Sequence, residues 1–202
     1  MDEAQTIKKA QNGDLAAFNT LVMAYQGLAY NVAYRVIGNA DAAADACQDA
    51  FLKAYKAIGQ HKGGSFKSWL MRIVTNVCYD QIRYKRRRPA TSLEEMIKDD
   101  ENADEHNPNL ISDAEHPEAH ALRDELNNLI QLGITQLPED QRIVLVLSDI
   151  EGFAYQEIAE IIEQPLGTVK SRLSRGRRRL RDFLVARQEL LPDQYRQEDS
   201  GT

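Results

Sequence analysis

The stretch from Tyr155 to Leu184 constrains the fold most, because an apolar row and a dense basic surface share one helical segment there. Val169, Leu173, Leu180 and Leu184 follow one another at intervals of four, seven and four, the spacing of a single buried helix face. Lys170, Ser171, Arg172, Ser174, Arg175, Arg177, Arg178, Arg179 and Arg181 are left pointing outward. Upstream, Tyr155 to Ile162 reads as a short helix with Ile158, Ala159 and Ile162 inward, and Glu163-Gln164-Pro165 breaks it. A helix, a tight turn and a second helix rich in donors form a pattern that fits a nucleic-acid groove.

The whole chain has a formal net charge of -6, which suits such a role only once the charge is placed along it. From Lys67 to Arg88 stand Lys67, Arg72, Arg83, Lys85, Arg86, Arg87 and Arg88 against Asp80 alone. From Thr91 to Glu118 the order reverses, with acids from Glu94 to Glu118 opposed only by Lys98. A basic block, an acidic block and a second basic block therefore replace the uniform acidity that the sum suggests.

The N-terminal part reads as four helices. The first spans Glu3 to Asn12 and ends at Gly13; the second carries Phe18, Leu21, Val22, Tyr25, Leu28, Ala29, Val32 and Val36 inward and ends at Gly38-Asn39. Asp41 opens a third helix, Ala42 to Ile58, with Phe51, Leu52, Tyr55 and Ile58 as its apolar stripe beside polar Asp45, Gln48, Asp49 and Lys53. After the glycine-rich loop Gly59 to Ser65, a fourth helix from Phe66 to Lys85 turns Phe66, Trp69, Leu70, Ile73, Val74, Val77 and Ile82 inward, and Pro89 stops it.

Residues 90–119 are acidic and polar and hold few large apolar side chains, too few to offset the entropy of ordering them. They read as a flexible linker with a transient helical turn at Leu93 to Ile97. A second helical domain, residues 120–187, follows with Leu122, Leu126, Leu129, Ile130 and Ile134 on one helix and Leu137-Pro138-Glu139-Asp140 opening the next, through Leu147 to Gly152. Residues 188–202 form a polar tail. The expected fold is thus all-α: two small helical domains, 1–89 and 120–187, on a flexible acidic linker, the second containing the helix-turn-helix.

Two basic helical domains on an acidic tether suggest contact with nucleic acid at two places. The chain resembles the extracytoplasmic-function (ECF) sigma factors of bacterial RNA polymerase. The resemblance rests on Asp41 to Tyr55, on Phe66 to Asn76 with Asp80 and Arg83, and on Leu137-Pro-Glu, Tyr155 to Ala159 and Pro165 to Leu173. It implies a stress-response transcription factor that binds core polymerase, through the beta-prime coiled coil and the beta flap, and directs initiation at promoter DNA. An anti-sigma factor is a further partner that the resemblance implies.

The resemblance also implies roles for particular residues. Asp45, Gln48, Asp49, Phe51 and Lys53 match the surface for the polymerase coiled coil, where a polar face beside an apolar stripe suits helix-on-helix docking. Lys62, Ser65, Lys67, Arg72, Asn76, Arg83, Arg86 and Arg87 match the part that recognises and melts the minus-ten element; unstacked bases need a pocket and cations along the backbone. Trp69 suits either base stacking or the core, and its spacing with Leu70 and Ile73 favours the core. Asn76 serves either a base pocket or a packing amide. Thr168, Lys170, Ser171, Arg172, Ser174, Arg175 and Arg178 match the helix that reads the minus-thirty-five element, where arginine can donate two hydrogen bonds to guanine. Thr168 and the amides at that helix start favour a phosphate, and Arg177 to Arg181 lie on backbone or in water. Ala154 stands where a serine or threonine often caps the first helix of the motif and forfeits about 1 kcal/mol of capping.

Several classes of function find no support. No catalytic triad, phosphate-binding loop or zinc spacing is present, so neither an enzyme, a cofactor, a metal nor a small-molecule substrate is expected; His61, His106, His116 and His120 are scattered. No apolar run approaches the roughly 20 residues needed to cross a bilayer, and Met1 to Lys9 lack the apolar stretch of a signal peptide, so the expected location is cytoplasmic without membrane insertion. Cys47 and Cys78 read as reduced core thiols. Two other readings stay open on the residues alone. A free-standing helix-turn-helix regulator would bind duplex DNA without polymerase, and a structural adaptor or RNA-binding protein would account for the basic blocks but not for the turn between the paired helices.

Overall fold

The computed structural model describes residues 2–87 and 117–187, with side chains from Arg123 onward in the second stretch. Expectations for Arg88, Pro89, the turn at Leu93 to Ile97, the rest of the acidic segment up to His116, Leu122, the last three histidines and the polar tail lie outside those residues. All regular structure among the described residues is helical.

The N-terminal unit contains α1 (Glu3–Gln11), α2 (Leu15–Ile37), α3 (Ala40–Ala57) and α4 (Phe66–Arg87). Each start has a side chain to satisfy an orphan amide. Asp2 accepts from Gln5 N–H at 3.1 Å, Asp14 from Ala17 at 3.0 Å, Asn39 from Ala42 at 2.9 Å and Ser65 from Ser68 at 3.1 Å. Such caps contribute about 1 kcal/mol each. Asn39 therefore opens α3, two residues ahead of Asp41, which sits in the first turn. Gly38 ends α2 at φ 82°, where its N–H reaches Tyr34 O at 2.8 Å.

Leu21, Ala29, Val32 and Val36 of α2 and Leu70, Met71, Val74 and Cys78 of α4 are fully buried. Each large one contributes about 1.5–3 kcal/mol relative to an exposed side chain. The buried stripe of α3 is not the apolar stripe read from the sequence. Ala43, Ala46, Ala50 and Ala54 are fully buried and Ile58 nearly so, whereas Phe51 is half-buried and Leu52 and Tyr55 are 53% and 40% exposed. Small residues every three or four positions let α3 lie close to α2 and α4, and the larger side chains are displaced to the flank.

The C-terminal unit contains α5 (Pro117–Thr135), α6 (Glu139–Leu145), α7 (Tyr155–Ile161) and α8 (Leu166–Val185). α5 begins at Pro117, three residues before the boundary read from the sequence; proline suits a first helical position because its missing N–H would have no partner there. Val146–Ile150 continues α6 as a π turn. Gln141 to Leu147 are all buried, with Ile158, Ile161, Val169 and Leu173 packed near them. Ile161 takes the inward place expected of Ile162, which is half-buried. Glu163, at φ 50°, makes the turn between α7 and α8.

Glycine permits two close helix approaches in this unit. A Cβ on Gly133 of α5 would lie 2.6 Å from Leu180 and 2.8 Å from Phe183 of α8, and one on Gly176 of α8 would lie 3.4 Å from the carbonyl of Gln141 in α6. The two units also pack on each other, α4 against α7 and α2 against α5.

Candidate polymerase and nucleic-acid interfaces

Three surfaces gather the residues singled out in the sequence. On the outer side of α3, Asp45, Gln48, Asp49 and Lys53 are exposed, and Lys53 makes only a loose 4.0 Å ion pair with Asp80 of α4. Phe51 is half-buried and contributes less to the open face than expected. Leu52 and Tyr55 take its place, and Tyr55 meets Phe18 edge-on at 5.0 Å. Polar ends around exposed apolar side chains are what a helix-on-helix contact uses. The sequence reading placed Leu52 and Tyr55 in the apolar stripe of α3; the alanine row was the available signal that this stripe is not the buried one.

The second surface is α4 with the loop before it. His61, Phe66 and Trp69 form one aromatic cluster, with ring centroids 5.4–5.8 Å apart. Trp69 is thus half-buried packing rather than an open stacking platform. His61 is buried, its carbonyl accepts from the Gln11 side chain at 2.8 Å, and its Nε2 lacks a hydrogen-bond partner. Burial lowers its pKa, against a smaller opposing effect of Glu3. This anchoring lets the next residues bulge outward, Gly63 and Gly64 at φ 98° and 84°, with Lys62 and Ser65 exposed. Ser65 spends its hydroxyl on the α4 cap, which sets the loop exit.

Along α4, Asn76, Arg83, Arg86 and Arg87 are exposed and Lys67 and Arg72 half-buried. Most of these cations face the C-terminal unit. The Lys67 ammonium sits 4.0 Å above the Phe153 ring, Arg72 pairs with Glu163 at 2.8 Å, and Arg83 and Arg86 approach Glu139 at 3.8 and 2.9 Å. A polar cleft of about 460 Å³ runs between the units, lined by Thr75, Asn76, Tyr79, Asp80 and Arg83 on one side and by Ile162, Gln164 and Arg172 on the other.

The third surface is the outer face of α8. Lys170, Ser174, Arg175, Arg178 and Arg179 are exposed, and Tyr155, Lys170, Ser174, Arg177, Arg178 and Arg181 border a groove of about 640 Å³. Three expected residues are used otherwise. Arg172 pairs with Asp140 at 3.1 Å and points into the cleft. Ser171 donates to Thr168 O at 3.0 Å, and the Thr168 amide already donates to Pro165 O at 2.8 Å, so its hydroxyl rather than its N–H faces a ligand.

Arg177 is likewise held within its own unit. It grips Asp149 with two hydrogen bonds of 2.8 and 2.6 Å. Burial raises the Asp149 carboxyl, but the bonds from Arg177 and Ser148 outweigh it and hold its pKa below the ordinary value. The π turn places Asp149 there. Ala154 offers no cap, yet Glu157 accepts from its N–H at 2.8 Å and supplies half of the missing arrangement.

A helix-turn-helix with an open basic face, joined to an α-helical unit with a second basic helix, is the arrangement that comparison with known proteins places. The family described as Sigma-70 region 2 matches residues 21–88, and the one described as Sigma-70, region 4 matches residues 127–180. The sequence is 38% identical to the RNA polymerase sigma-H factor of Pseudomonas aeruginosa, over 87% of this chain and 90% of that protein. It is 37% identical to the ECF RNA polymerase sigma factor SigW of Bacillus subtilis, over 88% and 94%.

The chain belongs to the ECF sigma factors of bacterial RNA polymerase.

The ECF RNA polymerase sigma-E factor of Escherichia coli is 36% identical over 85% of this sigma factor and 88% of its own length. Among solved structures, CnrH in complex with the cytosolic domain of CnrY shares the fold at a TM-score of 0.63 and 24% identity, covering 90% of this chain and 96% of that one. The sigma factor RpoE of Bartonella quintana, in complex with the anti-sigma factor NepR, has a TM-score of 0.61 at 24% identity, covering 83% and 96%. No described helix of this sigma factor is long and apolar enough to cross a membrane, and the described residues contain no His, Cys, Asp and Glu group able to hold a metal ion.

Both thiols of the sigma factor are free, Cys78 buried and Cys47 half-buried, and burial pushes their pKa values up to about 12 and about 11. At neutral pH they are protonated and poor nucleophiles.

Proposed function

We propose that this sigma factor divides promoter recognition between its two basic helices while α3 holds core polymerase. The outer face of α3, through Asp45, Gln48, Asp49, Lys53 and the exposed Leu52 and Tyr55, docks on the beta-prime coiled coil, and the C-terminal unit meets the beta flap. The loop Lys62 to Ser65 and the α4 side chains Lys67, Arg72, Asn76, Arg83, Arg86 and Arg87 hold melted minus-ten DNA: cations track the phosphates and the bulged loop receives an unstacked base. Lys170, Ser174 and Arg175 enter the major groove at the minus-thirty-five element, and Arg178 and Arg179 lie on the backbone. Residues 1–89 and 120–187 act as the two DNA-binding domains.

The chemistry of RNA synthesis belongs to polymerase; this subunit catalyses nothing and acts in the cytoplasm. An anti-sigma factor is a partner in this reading, one that covers the α3 or DNA-binding faces. The observation that carries the proposal is the open basic face of α8 presented by a helix-turn-helix in the chain order of the sigma regions. Alanine scanning of minus-thirty-five binding by the reconstituted holoenzyme tests it. Arg175→Ala should cost about 1–3 kcal/mol and relax discrimination at one base pair, whereas Arg178→Ala or Arg179→Ala should weaken all sequences alike and lower the salt slope by about one. Equal losses on every promoter variant would remove the base-reading roles.

A further inference from the structure

The loop between α3 and α4 is fixed at its two ends and unpacked between them. A single 3-10 turn, Ile58–Gln60, closes α3, and the His61 amide donates to Ile58 O at 3.1 Å. At the far end Ser65 caps α4. Between these anchors a Cβ added at Gly63 or Gly64 would meet no heavy atom within 4 Å, and among the described residues the amides of Lys62, Gly63 and Gly64 have no backbone partner. The height of the loop above the protein is therefore set at His61 and Ser65, not in its middle.

The His61 end is held by a side chain from α1. Gln11, the last residue of that helix, donates from Nε2 to His61 O at 2.8 Å and to Ile58 O at 3.2 Å. A primary amide carries two hydrogens, so the two bonds use the whole donor capacity of Nε2. The His61 ring is placed by packing instead: it lies edge-on to Phe66 and Trp69, and its Nε2 has no partner. α1 is itself seated on the unit, with Ile7 and Ala10 buried and Tyr25 of α2 donating to the Glu3 carboxylate. It precedes residues 21–88, the segment matched to Sigma-70 region 2.

We propose that Gln11 is a positioning residue for minus-ten recognition: by tying α1 to the carbonyls of Ile58 and His61, it sets where the Lys62–Ser65 loop meets an unstacked base. The inference rests on the loop assignment made above and adds to it a residue that acts through the loop. A base read by hydrogen bonds needs its partners held to within about 0.5 Å. Two adjacent glycines at positive φ give the loop no stiffness of their own. Without the Gln11 bonds the loop samples several heights and reads the base less sharply, while the cations of α4 still track phosphate.

The test uses holoenzyme reconstituted from core polymerase and the full-length chain. Open-complex formation is measured on variants of one promoter carrying each of the four bases at every minus-ten and minus-thirty-five position. Gln11→Ala should reduce the preference at one minus-ten position by about fivefold or more and leave the minus-thirty-five preferences as in the wild type. Gln11→Lys should keep the wild-type preferences, because an ammonium can also donate to two carbonyls. A merely stabilising Gln11 would act differently: Gln11→Ala would lower the folded fraction on every promoter alike, and the ratios between bases would stay unchanged.

Unchanged ratios for Gln11→Ala would overturn the proposal, as would a loss in Gln11→Lys equal to that in Gln11→Ala. Should Gln11→Ala not fold, Gln11→Glu takes its place with the same expectation, since it keeps the side-chain length and removes the donor. Gly63→Ala separates the proposal from the reading beneath it, because φ 98° is a region that side-chain-bearing residues rarely adopt and the substitution moves the loop directly. If Gly63→Ala alters the minus-ten preference and Gln11→Ala does not, the loop assignment stands and the role of Gln11 falls. If neither does, the loop does not read the base and both fall.

Discussion

α4 and α8 are both amphipathic helices with a run of arginines, yet the structure treats their charge differently. Arg175, Arg178 and Arg179 of α8 are exposed, and the one arginine bound in an ideal bidentate pair, Arg177, is tied to Asp149 of the same unit. Arg72, Arg83 and Arg86 of α4 meet carboxylates of the other unit. The difference teaches that a basic helix is defined by where its counter-charges come from: pairing within a unit leaves the neighbouring arginines of α8 open, whereas pairing between units occupies the cations of α4 with the other half of the chain.

The comparison can be broken or sharpened by substitution. The largest effect belongs to the apolar backs that hold both helices. Leu70 of α4 is fully buried and Leu173 of α8 is 2% exposed, so Leu70→Ala and Leu173→Ala should each cost about 2–5 kcal/mol in urea unfolding. If the units are separable, each loss should appear in its own transition; a single merged transition for both variants would make the cross-unit contacts permanent. Gly133→Val should come next, costing about 1–3 kcal/mol by overpacking against Leu180 and Phe183, with the transition of α1–α4 unmoved.

Smaller effects follow from titration. The folded-state pKa of Asp149 is depressed, so its contribution is present above the unfolded value of about 3.9 and is lost as pH falls below it. Asp149→Asn should lower stability by about 1 kcal/mol at pH 7, discounted because Arg177 is half-exposed, and should flatten the acid limb of the C-terminal transition. The smallest change concerns His61, whose pKa burial also lowers. It stabilises the fold above its unfolded value of about 6.5 and loses that contribution as pH falls. The N-terminal transition of the wild type should therefore soften between pH 7 and 5.5, and that of His61→Phe should not. An identical pH profile for both would mean the His61 ring stays wet.

Helix placement was largely legible in the sequence because glycines, a serine and prolines punctuate it: Gly13, Gly38, Ser65 and Pro165 mark ends that the structure keeps. What misled was size. In α3 the aromatic and leucine side chains drew the reading of an apolar stripe, although Ala43, Ala46, Ala50 and Ala54 formed the cleaner periodic row; close helix packing selects small residues, and hydrophobicity alone does not reveal it. The run Gln141 to Leu147 is buried on every side, so no period could show that Arg142 is buried within it.

The candidate site divides in the same way. Exposed donors on α8 followed from helical spacing, while the partners of Arg72, Arg172 and Arg177 depend on acids distant in sequence or on a π turn, which no local pattern announces.

The most direct measurement of the central claim is transcription in vitro from genomic DNA of the source organism by core RNA polymerase, with and without this chain. The account predicts discrete transcripts that require the chain, start downstream of a shared pair of elements and are lost when Arg175 and Arg178 are both replaced by alanine. The same transcripts from core polymerase alone, or none with the chain added, would contradict it.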